Sequence, residues 1–110
     1  MPKPSILTVL TVIQQRPSMY LGWDEQARRA QLQALEAVIA GYSLALYQHR
    51  TGSDDLAMIG ELKKFLRKKS GADNLSGIGQ ILATSATEAE AWARVWALID
   101  EFRELKGHVA

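Results

Sequence analysis

The chain has 110 residues, a formal net charge of +1 and no cysteine. That is one domain's worth of sequence, with no disulfide framework, thiolate metal site or cysteine nucleophile. Thirteen Lys and Arg against twelve Asp and Glu set aside both a basic nucleic-acid binder and an acidic nucleic-acid mimic.

In chain order the hydrophobic periodicity is helical. Ile6, Leu7, Val9, Leu10, Val12 and Ile13 form a short, nearly all-round apolar segment. Ser5 is the expected N-cap, and the helix must stop before Pro17, whose ring drives Arg16 out of the helical region. A buried strand is the alternative for this segment, but no partner strand is found elsewhere. Pro17 to Trp23 reads as a loop closed by Gly22. Asp24 then caps a long helix running to about Arg50. Its Leu32, Leu35, Val38, Ile39, Tyr42 and Leu46 fall at three- and four-residue spacing and share one face. Gly41 in mid-helix costs about 1 kcal/mol against Ala, an expense that close approach of a neighbouring helix would explain.

Thr51-Gly52-Ser53 ends that helix, and Ser53 or Asp54 caps the next one. Leu56, Ile59, Leu62, Phe65 and Leu66 form its apolar face up to about Lys69. After a break at Ser70–Asn74 comes a short element of one or two turns with Leu75, Ile78, Ile81 and Leu82. Thr87-Glu88-Ala89-Glu90 matches a capping box. It opens a last helix with the stripe Trp92, Val95, Trp96, Ile99, Phe102 and Leu105, stopped by Gly107. The expected fold is all-α, a compact bundle of four to five helices over a single domain, residues 1–110, with short connections that favour antiparallel neighbours.

Candidate chemistry is sparse. The carboxylate clusters (Asp54 and Asp55; Glu88 and Glu90; Asp100, Glu101 and Glu104) fall at helix starts or opposite apolar stripes, where acids serve the helix dipole and solvation. His49 suits the negative end of its helix, and His108 lies near the end of the sequence. The two histidines are too few for most histidine metal centres. Gly77-Ile78-Gly79 has no strand–helix context or phosphate-binding Lys, and the serines show no nucleophile-elbow spacing. The expectation is therefore no enzyme activity, no cofactor and no metal. With no membrane-length apolar run and no signal peptide, the expected location is cytoplasmic.

Binding is the remaining class. Lys63-Lys64-Phe65-Leu66-Arg67-Lys68-Lys69 puts five cations on the outer face of its helix. A solvated helix end is the plainest reading. A docking stripe for an acidic protein surface is the alternative, and nucleic acid is disfavoured because no exposed aromatic is interleaved for stacking. Trp92 and Trp96, at i and i+4, belong to the core. Tyr20 and Trp23, with Met19 beside them, either plug the end of the bundle or meet a partner. The partner-binding candidates are Tyr20, Trp23, Asp24 and Arg28, with Lys64 and Lys68 as a second group. A second copy of the chain is a further possible partner, since an apolar stripe can be shared across a two-fold axis.

Two resemblances attach to the segment Arg16-Pro17-Ser18-Met19-Tyr20-Leu21-Gly22. It looks like a stretch near the start of type II topoisomerase ATPase domains. However, the following Glu36-Ala37-Val38-Ile39-Ala40-Gly41-Tyr42-Ser43 lacks the Asn that binds Mg²⁺ there, and the nucleotide motif and sheet are missing, so ATP binding does not carry over. The second covers most of the chain. It comprises that segment after an apolar helix, then Leu35-x-x-x-Ile39-x-Gly41-Tyr42-x-x-Ala45-Leu46, a helix ending near Phe65, and Trp92-x-x-x-Trp96-x-Leu98-Ile99-x-Glu101-Phe102. This layout resembles small all-helical bacterial immunity-type proteins encoded beside secreted polymorphic toxins. The resemblance implies a cytoplasmic binder that neutralises one toxin domain. A helical adaptor or regulatory module unrelated to toxins uses the same sequence facts.

Overall fold

A computed structural model describes residues 6–22, 25–49, 53–73 and 76–107, without the side chains of Glu25, His49, Ser53 and Asp54. These residues form six α-helices and one 3-10 turn, and no strand is found among them. Helix α1 is Ile6–Gln15, with Ile6, Leu7, Leu10 and Ile13 buried. The strand alternative therefore fails, and the helix ends ahead of Pro17 as the ring requires. The expected cap Ser5 lies outside the described residues. A distant residue does bind the helix start: the Ile6 N–H donates to both carboxylate oxygens of Asp55, at 3.0 and 3.1 Å.

The first correction concerns the loop expected over Pro17 to Trp23, of which residues 17–22 are described. It is a one-turn helix, α2 (Pro17–Leu21), and it raises the helix count beyond the expected four to five. Pro at the first helical position loses no hydrogen bond, because that N–H has no intrahelical acceptor. Gly22 ends the turn at φ 74°, a value that side chains disfavour, and its N–H donates to the Ser18 carbonyl.

The long helix α3 is Arg28–His49 and follows the 3-10 turn Glu25–Ala27. It buries Leu32, Leu35 and Ile39 and half-buries Val38, Tyr42 and Leu46, which is the face the spacing gives. The expectation for Gly41 fails: a Cβ built there meets nothing within 4 Å, so no helix among the described residues closes on it. Helix α4 is Ser53–Ser70 and buries Ile59, Leu62 and Leu66, with Leu56 and Phe65 half-buried. The short α5 is Gly77–Thr84, capped by Ser76, whose hydroxyl accepts from the Gly79 N–H at 2.9 Å. Here a glycine is required by packing. A Cβ on Gly77 would lie 2.5 Å from Leu66 Cβ and 2.6 Å from the Leu66 carbonyl carbon, so α5 rests directly on the backbone of α4.

Helix α6 is Glu88–Leu105. The Thr87 hydroxyl accepts from the Glu90 N–H, and the Glu90 carboxylate accepts from the Ala86 N–H. The box thus closes one residue earlier than in its usual form. Val95, Trp96, Ile99 and Phe102 are buried and Trp92 half-buried, its ring edge-on to Trp96 at 5.7 Å. Leu105 departs from the expected stripe and is 67% exposed. Each three-residue step falls about 60° short of a full turn, so the two steps from Ile99 carry Leu105 off the buried face. Arg103, four residues after Ile99, takes the inward position instead, at 4% exposure.

The ion pairs Lys106–Glu61 at 2.6 Å and Lys69–Glu101 at 3.3 Å tie α4 and α6 together as antiparallel neighbours. Phe65 and Phe102 pack between them, with centroids 5.4 Å apart. No helix among the described residues is long and apolar enough to cross a membrane.

Candidate functional site

The sequence candidates separate into three places. The first is the start of α3. Gln31 is fully buried; its side-chain amide donates to the Gly22 carbonyl at 3.0 Å and to the Ser18 hydroxyl at 3.4 Å. Its carbonyl accepts from Arg28 Nη1 at 2.6 Å. The Arg28 guanidinium also lies 4.0 Å from the centroid of the Trp92 ring. Arg28 is therefore built into the junction of α2, α3 and α6, while its neighbour Arg29 reaches Glu88 at 3.6 Å. Tyr20 and Met19 stand on the outside of this junction, 49% and 65% exposed. Trp23 and Asp24 lie outside the described residues.

The second place is the cationic end of α4, whose five cations are all exposed but unequal. Lys69 is paired with Glu101 and lies over the Phe65 ring. Arg67 Nη2 donates to the Asp73 carbonyl at 3.0 Å. Lys64 and Lys68 are exposed outside any contact described above, while Lys63 and Arg67, one turn apart, line a groove that the sequence reading did not single out.

This groove, the third place, has a volume of about 360 Å³ and opens between α3, α4 and the start of α5. Ile39, Leu62, Leu66 and Ile78 make its apolar floor; Lys63 and Arg67 stand on one wall and Glu36 on another. It exists because Gly77 lets α5 reach the α4 backbone, and no periodicity in one helix encodes that. The available signal was the four-residue spacing of Lys63 and Arg67 beside Leu62 and Leu66.

One further polar cluster lies at the far end of α6. Arg103 Nη1 donates to Gln14 Oε1 at 2.9 Å and to the Asp100 carboxylate. Its Nε and Nη2, like the Trp96 indole N–H, are buried with no partner among the described residues. Burial pulls the Arg103 pKa below its usual value, opposed by the attraction of Asp100. No group of three or more metal-ligating side chains is found among the described residues.

Beside the groove, the outer face of α3 has an unusual surface. From Ala37 to Gln48 no residue is charged. Ala37, Ala40, Gly41 and Ala45 are exposed there, as are Leu44 at 56% and Tyr47 at 74%. A helix apolar on all sides is ordinarily covered on all sides; here one side is open. Comparison of the chain with protein-family models, with curated proteins and with solved structures gives no match.

Proposed function

We propose that this chain is an immunity-type protein, a stoichiometric inhibitor that binds a secreted toxin domain through protein–protein contact. The observation that carries the reading is the uncharged outer face of α3, with Leu44 and Tyr47 exposed on it. Contiguous exposed apolar surface marks interaction sites, and aromatic side chains dominate binding hot spots. The family-like layout around Arg16–Gly22 and Leu35–Leu46 supports the choice of partner. Met19 and Tyr20 form a second, smaller contact. Gln31, which anchors their segment, is thirteen residues from Leu44, roughly 20 Å along the helix, so one partner domain can span both.

Isothermal titration calorimetry against the toxin-type catalytic domain encoded beside this chain tests the reading. Nanomolar one-to-one binding is expected. The double substitution Leu44→Asp and Tyr47→Asp should weaken it by about thirtyfold or more, as loss of a central hot spot does, with Tyr20→Ala costing less. No heat from two folded proteins removes the reading.

A helical module that pairs with itself is the second reading. The small residues Ala37, Gly41 and Ala45, four apart on the exposed side of α3, favour it because they let two helix backbones approach. Sedimentation of the chain alone as a dimer, lost in Gly41→Leu, would select it.

A further inference from the structure

The groove of α3, α4 and α5 has a different character from the α3 outer face. Its volume of about 360 Å³ falls in the range of small-molecule sites. Its lining is amphipathic in an ordered way: the floor is aliphatic, and the cations stand together on the α4 wall. Lys63 has no ion-pair partner among the described residues. The guanidinium of Arg67 is steadied by its bond to the Asp73 carbonyl and keeps further donors for a ligand. At the same end, the Gly77 and Ile78 N–H groups belong to the first turn of α5 and have no intrahelical acceptor. Glu36, on the α3 wall, carries the opposite charge.

We propose that this groove binds a monomeric medium-chain aliphatic monocarboxylate. The chain lies on Ile39, Leu62, Leu66 and Ile78, and the head group sits between Lys63 and Arg67 beside the start of α5. A carboxylate is the head group that matches two neighbouring cations, and Arg pairs with it through two parallel hydrogen bonds. An aliphatic chain matches a floor with no aromatic ring and no side-chain hydrogen-bonding group. The site is independent of the toxin-binding reading and uses none of Leu44, Tyr47, Met19 or Tyr20.

The test is an amide proton–nitrogen correlation spectrum of the whole chain titrated with octanoate, kept monomeric. Saturable shifts are expected at Gly77, Ile78, Lys63, Arg67 and Ala40. Octan-1-ol, which lacks the charge, should bind about tenfold more weakly. Lys63→Glu with Arg67→Glu should weaken octanoate by about tenfold or more, whereas Lys64→Glu with Lys68→Glu, the same charge change on the outer side of α4, should stay within about twofold. If the first pair disturbs the spectrum as a whole, Lys63→Gln with Arg67→Gln replaces it, with the same direction expected. Absent or non-saturable shifts at the groove, equal binding of octan-1-ol, or equal losses in the two charge-reversed pairs would each overturn the proposal.

Discussion

At its start α3 buries a polar side chain, and toward its end it exposes apolar ones. Gln31 is enclosed, and its bonds to Gly22, Ser18 and Arg28 are what hold α2 against the helix. Leu44 and Tyr47, on the same helix, stand in solvent. The first half is stabilised by this chain alone, since each buried polar atom named there has a bonding partner. The second half is apolar where no described residue covers it. The contrast shows that exposure in α3 follows from what docks on each segment, and not from residue type.

The largest test of that contrast is Gln31→Ala. It removes a fully buried side chain together with its bonds to the Gly22 carbonyl and the Arg28 guanidinium, each worth about 0.5–1.5 kcal/mol, and leaves a cavity where the amide stood. We expect a loss of about 2–3 kcal/mol in urea unfolding, with no change in the unfolding slope. Gly41→Ala should act in the opposite direction. The added methyl meets open space, and a helix-interior Gly is about 0.5–1 kcal/mol worse than Ala, so the monomer should gain that amount. Destabilisation that grows with protein concentration would mean the face is already shared between copies.

The smallest effect sharpens the inner side of the same helix half. Burial, followed by the hydrogen bond to and the charge of Asp55, raises the Tyr42 pKa above its usual 10.0. The folded chain therefore keeps this proton after the unfolded chain has released it. Its contribution is complete below pH 10 and is lost as pH rises through the higher folded value. Tyr42→Phe should flatten the fall of the urea midpoint on the alkaline side and, with the hydrogen bond to Asp55 gone, lower the neutral midpoint slightly.

The helical periods of α3, α4 and α6 were legible because their buried positions recur at three and four residues, and the Thr87–Glu90 box marked the start of α6 directly. Helix α2 was not, since Pro17 and Gly22 punctuate loops and one-turn helices alike. Gln31 has the spacing of a core residue, four before Leu35, but its polarity disguises it; only the carbonyl of Gly22, nine residues away, explains why it can be buried. Leu105 leaves its expected place through angular drift along α6, and Arg103 takes the inward position. Lys63 and Arg67 were visible as part of a cationic run. Which members of that run face a groove depends on where α5 lands, and Gly77 decides that through a contact with α4 that no single-helix pattern contains.

Helix α1 is fastened at both ends by residues far along the chain. Asp55 holds its first N–H across 49 positions, and Arg103 reaches Gln14 across 89. During synthesis, at roughly 5–20 residues per second, the segment that becomes α1 emerges before either fastening exists. Some 2.5–10 s separate it from Asp55 at those rates, and longer from Arg103. Its apolar residues must then wait for α4 and α6, so a helix made before both of them is among the last to be secured. A chain released before residue 103 would leave that apolar helix half-anchored, with its surface open to chaperones and proteases.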